Sequence, residues 1–224
     1  MNRLQRISLL LGDESIKKLQ QSTVMVVGCG AVGSFAIEAL ARSGVGHIIL
    51  VDFDVVEESN INRQLFALDS TIGKSKVEVA AQRIADINPE IKVDTINMFF
   101  AEGVILDINP DFVIDAIDTI PSKIALYKWC TDKNIPLISS MGAARKTDLT
   151  KIKIAPVSKT TVCPLASKIR RKIRELKMDD FPVVYSTEVA TPQKNGGREF
   201  GSMITVTGTF GLMLAEFVIR KLIS

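Results

Sequence analysis

The chain has 224 residues, 46% of them hydrophobic and 24% charged, which suits one large soluble α/β domain with ample sequence for a core. Cys29, Cys130 and Cys163 form no C-x-x-C pair, so a close-spaced zinc site is not expected, and any Ser-His-Asp or Cys-His arrangement would have to use the single histidine, His47. A net charge of +3 is too small to prove a nucleic-acid partner.

In chain order, residues 1–6 are polar and lack the apolar run of a signal peptide. Residues 13–21 read as a short amphipathic helix with Ile16 and Leu19 on one face. Thr23–Val27 is a compact run of β-favouring residues, expected as a buried parallel strand. Glycines follow, then a helix over 31–42 that Gly44 terminates. His47 reads as a turn residue beside the second strand, 48–52. Residues 53–75 form a long polar connection, which in a compact domain means function or disorder.

A helix over 76–88, closed by Pro89, leads to a strand at 91–96. Phe112–Asp115 is a further strand, 122–133 a helix and 136–140 the next strand. This β-α alternation predicts a Rossmann-like, doubly wound, mostly parallel sheet with helices on both faces. Beyond Gly142 the regularity falls away into a C-terminal β/α portion. Strands at 151–155 and 183–186 flank a helix whose 168–177 stretch carries six cations and one anion, fitting either a solvated face or phosphate binding. The 193–201 stretch, with Asn195, Gly196 and Gly197, is expected to be a mobile loop.

From 202 the chain reads as a long helix in which Gly208 and Gly211 permit close packing. Its Phe210, Leu214 and Phe217 serve equally as a dimer interface or as core. Even this run carries Glu216, Arg220 and Lys221, and no segment offers about 18 uninterrupted apolar residues. A cytoplasmic protein with no membrane span is expected. The chain reads as one domain, with a nucleotide-binding core over about 1–142 and a substrate-side extension over about 143–224.

The chemistry concentrates after the first strand. Residues 28–33 read G-C-G-A-V-G, a G-x-G-x-x-G motif between strand and helix. Gly28 allows the tight turn, Gly30 lets a phosphate approach the backbone, and Gly33 lets helix pack on strand. The helix N-terminus offers N–H groups to an anion, and Asp52, ending the second strand, can accept from ribose hydroxyls. These features bind a nucleotide without distinguishing NAD from ATP. Downstream, D-F-D-V-V-E-E-S-N-I-N-R-Q at 52–64 and G-K-S-K at 73–76 supply Arg63 and Lys76. A dehydrogenase has no evident need for these cations, whereas cleavage of a triphosphate needs fixed positive charge for the leaving pyrophosphate. Asp118, in D-A-I-D-T, faces the same crevice and could hold Mg2+ through few protein contacts.

Together these runs resemble the superfamily of ubiquitin-activating and ThiF/MoeB-type adenylating enzymes. The resemblance implies that Gly28, Gly30, Ala31, Gly33, Asp52 and Asp54 lie against ATP, with Asn60, Arg63, Gln64 and Lys76 toward its phosphates and Asp118 on the magnesium. It further implies a homodimer in which an N-terminal arginine reaches the partner protomer's ATP; Arg6 matches best. N-R-Q-L-F-A-L at 62–68, I-S-S-M-G-A-A at 138–144, S-K-T at 158–160, P-L-A at 164–166 and Y-S-T-E at 185–188 resemble the tRNA threonylcarbamoyladenosine dehydratase branch. The paired zinc cysteines usual in ThiF and MoeB proteins are absent, and Cys163 stands where that branch has Asp.

For that branch the resemblance implies a ligase-type reaction on tRNA: ATP adenylates the threonine-derived carboxylate at adenosine 37, and the neighbouring carbamoyl group closes a ring and expels AMP. No catalytic cysteine or histidine is required, although Cys163 as an acyl or sulfur acceptor, with a cysteine-desulfurase or sulfur-acceptor partner, stays open. The competing readings are adenylation of a ubiquitin-like sulfur carrier, an NAD-dependent oxidoreductase, which leaves Arg63, Lys76 and Asp118 idle, and a non-catalytic nucleotide-binding scaffold.

Overall fold

Residues 3–192 and 200–224 are described by a computed structural model of the chain. Four strands, β1 (Thr23–Val27), β2 (His47–Asp52), β4 (Phe112–Asp115) and β5 (Leu137–Ser140), are almost wholly buried. This is why they read as continuous apolar runs rather than alternating ones. With β3 (Lys92–Asn97), β6 (Ile152–Pro156) and β7 (Pro182–Ser186) they form one sheet in the order β3-β2-β1-β4-β5-β7-β6. Every neighbouring pair is parallel except β6 with β7. The chain reverses direction across the sheet between β1 and β4, so a crevice opens there at the carboxyl ends of the strands.

Two apolar layers cover the sheet. One face packs against α2 (Asp13–Gln21), α3 (Gly33–Ser43), α4 (Lys76–Ile87) and α7 (Ile204–Ile223). The other packs against α5 (Ile120–Asp132), α6 (Pro164–Leu176) and side chains of the 98–108 segment. Phe210 and Leu214 of α7 are fully buried in the chain's own core, whereas Phe217 is half-buried. The two glycines of α7 make this possible: a Cβ at Gly211 would lie 2.3 Å from the Val32 carbonyl oxygen, and one at Gly208 would lie 3.2 Å from the Phe35 ring. α3 ends at Gly44, which adopts φ 89° and donates its N–H to the Leu40 and Ala41 carbonyls.

Several expectations need adjustment. A helix α1 (Gln5–Leu11) precedes α2, and none of its residues is buried, so its tertiary packing left little pattern to read. α3 starts at Gly33, two residues late, because the glycine turn holds Ala31 and Val32 outside the helix. The 53–75 connection is ordered: Val56 N–H donates to Lys74 O at 2.8 Å, Gly73 N–H returns to Val56 O at 2.8 Å, and Phe66 and Ala67 are buried. The expected loop at 193–201 falls mainly outside the described residues. Among the described residues no helix is long and apolar enough to cross a membrane.

Glu188, just past β7, ties two loops of the C-terminal portion together. Its carboxylate accepts the Thr147 and Asp148 N–H groups and the Thr147 hydroxyl, all at 3.0–3.2 Å. Burial by itself would raise this carboxyl; the N–H groups of Asp148 and Thr147, the Thr147 hydroxyl and the Lys146 charge outweigh it and hold the group below the usual range. A lowered carboxyl stabilises the folded chain above its unfolded value, about 4.3, and loses that contribution as the pH falls toward the folded value. Glu188→Gln should therefore be less stable than the native chain in urea at pH 7, and the gap should narrow as the pH drops below about 4. A gap constant with pH would remove the carboxylate from this role.

Candidate nucleotide site

The site is built on the turn from β1 into α3. Gly28 sits at φ 98°, and a Cβ there would lie 2.8 Å from the Ala116 carbonyl oxygen, so turn and β4 loop touch backbone to backbone. At Gly33 a Cβ would lie 1.7 Å from Gly28 O, which closes the position to any side chain. Gly30 is different: only the Gln64 amide nitrogen comes near, at 3.8 Å, and space is left for a ligand. The N–H groups of Gly30, Ala31 and Val32 have no acceptor among the described residues. They form, with the start of α3, a cradle for an anion.

Asp52 has a prior task that the sequence did not disclose. One carboxylate oxygen accepts Cys29 N–H at 2.6 Å and the other accepts Asp54 N–H at 2.9 Å. It pins the glycine turn to the end of β2, and each oxygen retains lone-pair capacity for a ribose hydroxyl. The neighbouring Cys29 thiol is buried; that burial, with the Asp52 charge, raises it well above its ordinary value and keeps it neutral.

The folded 53–75 connection brings the Gln64 amide toward Gly30, at 3.8 Å from a Cβ built there, and sets Lys76 beside Asp54. Lys76 opens α4 with its ammonium buried and paired to Asp54 at 2.8 Å, while Asp54 stays nearly half exposed. Its backbone N–H also bonds Asp54 O at 3.0 Å. Asn60 is buried and accepts Glu57 N–H through its side-chain oxygen at 3.3 Å. Gln64 is buried too, with no hydrogen-bond partner for its side chain among the described residues. Arg63 is half-buried and donates to Ser59 O and the Asn62 side chain at 2.7 and 2.8 Å. Across the crevice, Asp118 is exposed, two residues beyond the Ala116 that touches Gly28, and has no partner among the described residues. A lone, unpaired, hard-oxygen donor fits an ion held mainly by phosphates and water. Among the described residues no three His, Cys, Asp or Glu groups converge as a metal cage.

Arg6 is not brought to this site. Leu4 packs against Gly44 and the Arg3 guanidinium donates to Ile87 O at 2.8 Å, which are the far ends of α3 and α4. Arg6 therefore stands at the opposite end of the sheet from the glycine turn of its own chain. His47 is likewise remote: it opens β2, with its ring nitrogens 3.2 Å from Thr23 Oγ1 and 2.8 Å from Asp94. Cys163, the residue just before α6, is 2% exposed, with its sulfur against Gly142.

The sequence reading missed the group beneath Asp118. Asp115, Lys123, Tyr127 and Ser139 are all completely buried and mutually hydrogen-bonded. A carboxylate ending an apolar strand, and a Lys and Tyr four apart on one helix face, were the available signals. The basic helix also proved less free than its composition suggests. Arg171 and Lys172 pair with Glu175, and Arg170 is held by Thr160, leaving Lys168, Arg174 and Lys177 unpaired among the described residues.

Comparison with known proteins places this architecture. The model of the ThiF family matches residues 2–224. The chain is 48% identical to the tRNA threonylcarbamoyladenosine dehydratase of Bacillus subtilis, covering 84% of this chain and 79% of that protein. It is 34% identical to the enzyme of the same name from Escherichia coli, over 96% of this chain and 91% of that one. The crystal structure of E. coli tRNA N6-threonylcarbamoyladenosine dehydratase, TcdA, in complex with ATP superposes with a TM-score of 0.90 at 35% identity, covering 98% of this chain and 93% of that one. The chain belongs to the ThiF family.

Proposed function

We propose that this ThiF-family chain is a ligase-type adenylating enzyme that uses ATP to dehydrate threonylcarbamoyladenosine in tRNA to a cyclic form. What supports the reading is the glycine turn with its free N–H groups, clamped by the strand-end carboxylate of Asp52 and touched by the β4 loop that carries the unpaired Asp118. The near full-length similarity to dehydratase relatives, one of them bound to ATP, supports the same reading.

In this reading the anion cradle at Gly30, Ala31 and Val32 and the start of α3 receive phosphate, and Asp52 takes the ribose. An oxygen of the threonyl carboxylate attacks the α-phosphorus and the bond to pyrophosphate breaks, giving an acyl-adenylate. Lys76, released from Asp54, and Arg63 stabilise the charge that builds on the leaving pyrophosphate. Asp118 would hold Mg2+, which would supply positive charge against the phosphate oxygens. The carbamoyl group then attacks the activated carbonyl, AMP leaves and one water is lost overall. Because that nucleophile is tethered to the substrate, proximity supplies much of the second step. Buried Cys29, Cys130 and Cys163 take no part, and nothing in them supports a sulfur-relay partner.

Residues 1–142 hold the nucleotide and residues 143–224 serve the tRNA side of one domain. α6 supplies phosphate contacts through Lys168 and Arg174. The double variant Lys168→Glu/Arg174→Glu should raise KM for tRNA at least about tenfold and reduce the salt slope of binding by about 2, with ATP binding unchanged. An unaltered salt slope would assign α6 to solvent. We also assign a homodimer in which α1, with Leu9 76% and Leu10 80% exposed, docks on the partner and carries Arg6 to the partner's nucleotide.

The deciding experiment is incubation with ATP, Mg2+ and tRNA bearing threonylcarbamoyladenosine, followed by digestion and mass measurement of the nucleoside. ATP-dependent loss of one water is expected. An unchanged mass from folded, ATP-bound protein would overturn the substrate assignment, and AMP formation with a ubiquitin-like carrier would replace it.

A further inference from the structure

Beneath the crevice, the chain spends a fully buried ion pair. Lys123, on the first turns of α5, is 0% exposed, and its ammonium lies 2.8 Å from Asp115 Oδ2 at the end of β4. An ammonium has three protons, and all three are used: on Asp115, on Ser139 Oγ at 3.1 Å and on Ser140 O at 2.8 Å. Asp115 is equally committed. Its Oδ2 also accepts the Tyr127 hydroxyl at 2.8 Å and the Ser139 hydroxyl at 2.6 Å, and its Oδ1 accepts Ile117 N–H at 3.0 Å. Burial, reinforced by the Asp115 charge, raises the Tyr127 phenol well above its ordinary range, so it stays a donor.

A buried ion pair is a poor source of stability, because desolvation offsets most of its attraction. What this one supplies is geometry. Three elements meet at one ammonium: the end of β4, the end of β5 and the start of α5. The turn that joins β4 to α5 is anchored at Ile117 N–H, one residue before Asp118, and at Lys123, five residues after it. Asp118 itself makes no hydrogen bond or ion pair among the described residues. The same turn touches the nucleotide cradle through Ala116 and Gly28.

We infer that Lys123, acting through Asp115, is a positioning residue for adenylation: it locks the 116–119 turn to the end of β5 and thereby sets where Asp118 stands over the nucleotide. The inference rests on the proposed magnesium role of Asp118. Lys123 is fully buried and its three donors are taken, so none is left for substrate or metal. Loosening it should therefore leave the cradle's grip on nucleotide largely intact and weaken only what Asp118 adds when Mg2+ is present.

The test measures, by calorimetry, the affinity of a non-hydrolysable ATP analogue in EDTA and again in Mg2+, together with melting temperature. The variants are Lys123→Met, Asp115→Asn/Lys123→Met, Lys123→Arg and, as reference, Asp118→Ala. Lys123→Met leaves a buried carboxylate uncompensated and should melt well below the native chain, whereas the double variant should recover much of that loss. In both, affinity in EDTA should stay within about twofold while the gain on adding Mg2+ falls at least about fivefold. A purely structural pair would let the double variant recover the Mg2+ gain along with its stability, and that result would overturn the inference.

If neither Met variant folds, Lys123→Arg decides, because a planar guanidinium cannot reproduce three converging ammonium bonds. A reduced Mg2+ gain then supports positioning and an unchanged gain rejects it. Asp118→Ala separates the two readings. If it keeps the Mg2+ gain, the magnesium role fails and the positioning role with it. If it loses the gain while the double variant keeps it, only the positioning role fails.

Discussion

Asp118→Ala is expected to lower ATP-dependent AMP formation by at least about 100-fold, a loss typical of removing one electrostatic contributor to a charged transition state. The expectation follows from what Asp118 does not do. It is exposed, makes no hydrogen bond or ion pair among the described residues, and follows a β4 that is buried and paired on both sides. Truncating it should therefore cost the fold little, within about 0.5 kcal/mol. Adding Mg2+ in excess should not restore the rate, because the carboxylate and not the ion is missing. Paired steady-state and melting measurements check this. Native-like turnover in a folded Asp118→Ala protein would remove Asp118 from the chemistry and shift attention to Arg63 and Lys76.

Gly33→Ala should abolish detectable ATP binding and destabilise the chain by about 1–3 kcal/mol, the usual range for forced overpacking. The added methyl would sit 1.7 Å from the Gly28 carbonyl oxygen, a backbone atom with no room to yield. α3 would have to withdraw from β1 by more than an ångström, and α7 is packed on that helix through Gly208 and Gly211. The comparison is Gly30→Ala, where no atom lies closer than 3.8 Å. That variant should melt with the native chain yet bind ATP at least about tenfold more weakly, because its methyl occupies ligand space rather than protein space. Denaturant midpoints and calorimetric titration of both variants would test the pair. Equal effects at the two glycines would mean that Gly30 is structural and that the cradle lies elsewhere.

The route from sequence to site was uneven. Thr23–Val27 and Phe112–Asp115 were legible to the residue, because strands buried on both faces need uninterrupted β-favouring apolar runs. The glycine turn was legible because its backbone demands are local, at Gly28 and Gly33. The boundary of α3 was misplaced for the opposite reason: Ala31 and Val32 are good enough helix residues, and only the contact of the turn with Ala116 and the β2 end keeps them out. α1 escaped notice because no buried face imposes a period on it. Cys163 reads in sequence as a reactive thiol or an ordinary loop residue, and its burial is a tertiary fact that the sequence did not carry.

By itself the sequence determined the class of fold and the glycine turn, since these rest on periodicity, glycine and short spacing, and it named the polar residues proposed to serve a triphosphate. Tertiary structure alone decided which of those residues are free to act. Asp52 is first a clamp on the turn, Lys76 is held by Asp54, Arg6 stands at the far end of its own chain's sheet, and Asp118 is unpaired above the Asp115–Lys123 pair. Partners separated by tens of residues leave no local trace, because a buried charge or hydrogen bond is satisfied in space and not along the chain.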